Sequence, residues 1–341
     1  MLKQIDLSVN NNQFAAAIAA VYDDAHRQFL SVPSGMGKSR IIAAVIALQS
    51  ICRDINLFTV VFTTKLLKQA SQAYYEKIAA VLGLTLNLRV YDPRLSLDGL
   101  VLPGHYAVVD EADVVLLDHA QTLTNPRMLA LSATPFSGNV AEREYVVDVL
   151  GFTVIDSKME GSISFESART ATASVSVERF FAASQGYAKL IYNTGESHPE
   201  ILRRATHTDP TDLARLKQLT PNDVILLTDP ALARGIDYRA HERTHGIALF
   251  VMSACNSERA YVQLLGRVGR YKEPCERFVW DQLSNVVNQQ EQAQMLGKLH
   301  RVKMTRRHAK KQLKQIQGQG LLNPKITVRE AAKAKPTVTD N

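Results

Sequence analysis

The stretch SVPSGMGKSR (Ser31–Arg40) decides how this chain is read. It sets two glycines, a lysine and a serine between an apolar run, RQFLSVP (Arg27–Pro33), and SRIIAAVIALQSI, which has the apolar density of a buried helix. A glycine loop between a strand and a helix aims successive backbone N–H groups, and the helix N-terminus, at phosphate oxygens. Gly35 and Gly37 allow the backbone to come close, with Ser34 and Met36 completing the cradle. In such a loop Lys38 would reach the β- and γ-phosphates of a nucleotide, and the Ser39 hydroxyl would ligate Mg²⁺. The full phosphate-loop pattern has a glycine where this chain has Val32, so a glycine turn followed by a surface lysine stands as the alternative.

Outward from that loop, strands alternate with helices. QFAAAIAAVYDDA reads as a helix and LFTVVFTT (Leu57–Thr64) as a β-branched buried strand, with the helix KLLKQASQAYYEKIAAVL behind it. YAVVDEAD (Tyr106–Asp113) is an apolar strand ending in carboxylates, and RMLALSATP (Arg127–Pro135) is another strand with a polar end. The pattern restarts after about residue 155 with AKLIYNTG, DVILLTD and GIALFVMSA. Alternation of this kind predicts an α/β fold with parallel, helix-covered sheets, in which ligands gather at the carboxyl ends of the strands. The weakly patterned stretch from Ser157 to Val175 marks the joint between two domains.

VVDEAD adds chemistry to the loop. Two adjacent carboxylates follow a buried strand, so Asp110 is placed to hold Mg²⁺ and Glu111 to orient and deprotonate an attacking water. A solvated acidic strand end is the bland alternative.

Together PSGMGKS, DEAD and SATP (Ser132–Pro135) resemble motifs I, II and III of the superfamily 2 helicases, in that order. That superfamily often spells motif I without the leading glycine, so Val32 fits the resemblance. LLTDPALARGIDYR (Leu226–Arg239) resembles motif V, and QLLGRVGR (Gln263–Arg270) matches the Q-x-x-G-R-x-G-R form of motif VI at every fixed position. The resemblance spans Gln13 to Arg270. It implies two tandem RecA-like domains, 1–156 with motifs I to III and 157–288 with motifs IV to VI, closing on ATP and Mg²⁺. It implies that Arg267 and Arg270 face the γ-phosphate as arginine fingers, that Gln263 lies beside the attacking water, and that Gly235 and Asp237 belong to the nucleotide site. Gln13 sits where many members have an adenine-sensing glutamine; an exposed helix-start residue is the alternative. FTTKLL occupies the place of motif Ia, where Thr64 and Lys65 touch backbone phosphates, as Thr228 does from the second domain; each is equally readable as a strand-end cap. The DEAD tetrad suggests DEAD-box RNA helicases. Gln263 and the segment around it look closer to DEAH-type and viral RNA helicases, which usually carry His or Cys where this chain has Asp113.

Composition bounds the rest. The 341 residues are 46% hydrophobic and 21% charged, with a net charge of +7. Twelve Lys/Arg against three Asp/Glu fall from residue 291 onward, 12 − 3 = +9, which leaves 28 − 30 = −2 for the remainder. The excess charge therefore belongs to a basic helical extension, 289–341, with a disordered end. Arg306, Arg307, Lys310 and Lys311 are its candidates for holding nucleic-acid backbone by counterion release; a basic helix packed on the body is the alternative. Three cysteines without C-x-x-C spacing argue against a zinc site or disulfide framework. No apolar run is long enough to span a bilayer, and the N-terminus has no secretory pattern. The expected partner is single-stranded or duplex nucleic acid, RNA ahead of DNA, with no membrane and no protein partner of the tail indicated. The expected setting is intracellular, cytoplasmic or nuclear, with a viral or phage origin suggested by the compact chain. The function so read is ATP-dependent translocation or unwinding. A DNA motor with the same chemistry, and a scaffold with a vestigial ATPase, stand as the alternatives.

Overall fold

The computed structural model describes residues 9–22, 26–32, 37–118, 127–134, 136, 140–156, 172–195, 201, 208–234, 236–269, 273–291 and 293–294. Ser34, Gly35, Met36, Gly235, Arg270 and the tail residues Arg306, Arg307, Lys310 and Lys311 lie outside these.

The first unit runs α1 (Asn11–Tyr22), β1 (Arg27–Ser31), α2 (Lys38–Arg53), β2 (Leu57–Phe62), α3 (Lys65–Leu82), β3 (Thr85–Val90), α4 (Leu97–Leu100), β4 (Tyr106–Val109), β5 (Met128–Ser132), α5 (Val140–Glu144) and β6 (Thr153–Asp156). Its six strands are all parallel, in the order β3-β2-β4-β5-β1-β6. A parallel sheet is buried on both faces, so its strands read as continuous apolar runs. Alternate side chains divide between two cores. Leu30, Val60, Val108 and Leu131 join α1, α2 and α3 on one face, while Phe29, Val61, Val109 and Ala130 pack on the other.

The second unit runs β7 (Thr172–Val175), α6 (Val177–Ala183), β8 (Ala188–Tyr192), β9 (Val224–Leu227), β10 (Ile247–Val251), α7 (Glu258–Leu265) and β11 (Cys275–Trp280). Its five parallel strands are ordered β7-β11-β10-β8-β9. The two sheets are the tandem α/β pair that the motif order implies. Each expected strand is present. Four more were not anticipated from sequence. β3, β6 and β7 are edge strands, half exposed or polar, without the apolar run that marks an interior strand. β11 lies inside its sheet, but Glu276 and Arg277 interrupt its pattern; the buried Arg277 guanidinium donates to the carbonyls of Leu265 and Val268. Among the described residues, no helix is long and apolar enough to cross a membrane.

Val32 is fully buried, and its N–H donates to the Ser132 carbonyl at 2.9 Å. The position that a longer phosphate loop gives to glycine is here a core residue tying β1 to β5. Gly246, at the entry to β10, has φ +124°, and a Cβ there would sit 1.9 Å from the Pro274 carbonyl oxygen. Backbone meets backbone, so no side-chain shift relieves the clash. Gly246→Ala is expected to cost about 3 kcal/mol or more in urea denaturation, whereas an alanine at Gly83, which has open space around it, should cost less.

Candidate nucleotide site at the junction of the two sheets

The carboxyl ends of β1, β4 and β5 are neighbours, and the sequence puts its polar residues there. Gly37 precedes α2 with φ 76° and ψ 50°, and a Cβ on it would fall 2.6 Å from Gln13 Nε2. The left-handed backbone favours glycine, and a side chain there would have to push the Gln13 amide aside. Gln13 is 5% exposed, which removes the reading of it as an exposed helix-start residue. It shares a reciprocal cap with Asn10: Gln13 N–H donates to Asn10 Oδ1 at 2.8 Å, and Asn10 N–H donates to Gln13 Oε1 at 3.0 Å.

Lys38 opens α2 and donates from Nζ to Glu111 Oε1 at 2.6 Å. Glu111 has φ 51°, unusual for a residue with a side chain, and the second carboxylate oxygen, Oε2, is buried with no hydrogen-bond partner. Strain and an orphaned acceptor on one residue are features of sites built for a ligand. Asp110 precedes it, buried, accepting the Glu111 N–H at Oδ1. The two carboxyls are pushed apart by their surroundings. Burial raises Asp110 to about 6, against Lys38 and with the Glu111 and Asp113 charges adding to it. Burial opposes charge on Glu111 too, but Lys38 and Arg267, with Arg234 adding less, outweigh it and hold the group low.

The second unit closes this cluster. Gln263, on α7, donates from Nε2 to Thr134 Oγ1 at 2.8 Å. Arg267 is buried; it donates to the carbonyls of Gln263 (3.2 Å) and Ile236 (3.0 Å) and to Gln263 Oε1 (2.9 Å), so it is fixed largely by its own domain while its charge reaches Glu111. Asp113 is the deepest link. It accepts the Ser132 hydroxyl at 2.7 Å, pairs with Arg234 Nη1, and faces Arg259 Nε at 3.4 Å. Arg259 also pairs with Glu142 of α5. Leu66 of α3 packs into the core of the second unit.

Sequence reasoning named Lys38, Asp110, Glu111, Gln263 and Arg267, and the fold brings them together. Asp113, Ser132, Thr134, Glu142, Arg234 and Arg259 were not singled out. DEAD, SAT and ARG were visible as strings, but a contact between Glu142 and Arg259, 117 residues apart, leaves no trace in spacing. Asp237 is half-buried and pairs with Arg239 at 2.8 Å. Thr64 caps α3, its hydroxyl oxygen accepting the Leu67 N–H at 3.1 Å, as the capping alternative has it; its own proton is left to donate elsewhere. Lys65 is exposed at the first position of α3, and Thr228 is exposed just after β9. A cavity of about 400 Å³ opens beyond β8 and β10, lined by Tyr192, Thr194, Ser253, Asn256 and Asn288.

No protein-family model matches the sequence, and no curated protein matches it either. Solved structures match it in fold. The DEAD-box helicase Mss116 bound to ssRNA and UDP-BeF superposes with a TM-score of 0.53, covering 87% of this chain and 79% of its own, at 13% identity. Mss116p with its N-terminal extension and C-tail deleted, bound to ssRNA and AMP-PNP, gives 0.53 over 85% and 77%, also at 13% identity. The chain therefore has the fold of these two structures, two tandem RecA-like parallel α/β domains.

Removing one partner of a buried ion pair strands the other, at a cost of about 3–5 kcal/mol. Arg259→Ala and Glu142→Ala should each destabilise by an amount in that direction, and the double variant by less than their sum. A coupling of about 1–3 kcal/mol in a denaturation double-mutant cycle is the expected result.

Proposed function

We propose that this protein is an ATPase of the superfamily 2 helicase type, coupling Mg·ATP hydrolysis to movement along, or unwinding of, RNA. The observation that carries the reading is the buried Lys38–Glu111 pair, with Asp110 beside it and Arg267 and Gln263 brought against it from the other domain. In this assignment residues 1–156 bind nucleotide, 157–288 supply the closing groups, and 289–341 form the basic extension.

The residues fit a magnesium ion. Ser39 and Asp110 offer hard oxygen donors, and a buried carboxyl raised by burial gains most from a cation beside it. When bound, Mg²⁺ would neutralise charge on the phosphates. The chain's own groups do the rest. Lys38, held by Glu111 in the free protein, turns to the β- and γ-phosphates when nucleotide arrives. That releases Glu111 from its strongest cation and raises its basicity, so Oε2 can orient a water and accept its proton. Gln263 stays beside that water through its bond to Thr134, while Arg267 and Arg270 meet the charge that spreads over the transferred group. Gln13, packed on Gly37, senses the base. Gly235 and Asp237 complete the second domain's side of the nucleotide site.

Nucleic acid lies across the carboxyl ends of both sheets in this reading. Thr64, Lys65 and Thr228 hold its backbone, and the basic tail adds Arg306, Arg307, Lys310 and Lys311. Contacts of this kind position a strand without reading sequence. The preference for RNA over DNA follows the ssRNA bound by the two Mss116 structures of like fold.

Steady-state ATPase tests the reading. Poly-U RNA should stimulate wild type, and Glu111→Gln should lower the rate by about 10²-fold or more. Stimulation by single-stranded DNA alone would make the protein a DNA motor, and no ATPase with either polymer would reduce it to a scaffold. Removing residues 298–314 should flatten the salt dependence of RNA binding, by about 0.7 in log–log slope for each phosphate that the tail neutralises in wild type.

A further inference from the structure

Tyr75 stands in the middle of α3 and looks like a core residue. Its ring packs on Phe62 (centroids 6.0 Å apart) and Tyr74 (5.8 Å), within the apolar cluster that covers one face of the first sheet. The side chain is 1% exposed, yet its hydroxyl has no hydrogen-bond partner. A phenylalanine would fill the same volume without leaving a buried donor unsatisfied. What the hydroxyl faces sets it apart from the rest of the core. The ring packs on Phe62, the neighbour of Val61, whose carbonyl accepts the Asp110 N–H at 3.0 Å; burial and then the Asp110 carboxylate oppose ionisation of the hydroxyl, and the Ser39 side chain beside it favours it. These are the two residues that supply the cation's oxygen donors.

Resting on the nucleotide-site reading above, we propose that Tyr75 is a positioning residue of the Mg²⁺ site: its hydroxyl hydrogen-bonds to water held between Ser39 and Asp110 and so fixes how those two groups meet the cation. The arrangement explains why an orphaned donor is kept in an apolar cluster. The partner it lacks arrives with the metal and its water. Outer groups of this sort orient the primary ligands, and their loss commonly weakens metal binding by about 10–100-fold.

The test is Tyr75→Phe, which keeps the ring and removes only the hydroxyl. Mn²⁺ titrated by electron paramagnetic resonance into protein saturated with ADP should bind about tenfold more weakly than in wild type. ADP affinity measured without divalent metal should not change, and the melting temperature of the free protein should be equal or higher. A purely structural tyrosine would shift the melting temperature downward and leave the Mn²⁺ affinity where it was. Mn²⁺ affinity within twofold of wild type would overturn the assignment of Tyr75 alone. Failure of wild type to take up Mn²⁺ with ADP would overturn the nucleotide-site reading, and this inference with it.

Discussion

One buried carboxylate, Asp113, carries the arrangement. It sits just beyond β4 with no exposed surface, accepts a hydroxyl from β5, and faces two guanidinium groups from the other domain. An uncompensated charge there would be very costly, so the first domain alone cannot keep Asp113 both dry and satisfied. Either water reaches it, or the second domain docks. Docking by Arg234 and Arg259 brings α7 with it, and α7 carries Gln263 to Thr134 and sets Arg267 against Glu111. The chemistry at Glu111 therefore depends on a contact made by another residue of the same tetrad.

Among the described residues of the junction, the acids Asp110, Glu111, Asp113 and Glu142 all come from the first domain. Of the described cations set among them, Lys38 belongs to that domain and Arg234, Arg259 and Arg267 to the second. Such a cluster gains Coulomb energy on closing and loses hydration of nearly the same size. A closure so balanced is easily biased by a ligand that draws Lys38 away and adds its own negative charge.

The interior of the fold was legible because its strands are unbroken apolar runs and its loop glycines have a geometric reason to be there. Gly37 sits in the left-handed backbone that favours glycine, whereas Val32, at the position a longer phosphate loop gives to glycine, is a core residue. Edge strands were not legible, because half-exposed segments such as TLNLRV carry too little apolar signal. The candidate site was legible where its residues lie close together in sequence motifs, at Lys38, Asp110 and Glu111. It was illegible where it is made by the meeting of distant segments: Arg259 in an amphipathic helix, Glu142 in a charged one. A tyrosine reads as core until its hydroxyl is found beside Ser39 and Asp110.

A distance measurement across the junction tests the central claim most directly. Cys52 is exposed, whereas Cys255 and Cys275 are buried, so a spin label on Cys52 and a second on Glu242→Cys report one distance between the domains. Without nucleotide, wild type should give a single narrow population. Asp113→Ala, with its helix content intact, should give a broad distribution extending to longer distances. An unchanged distribution in Asp113→Ala would contradict the account, because the domains would then be held together by something other than this carboxylate.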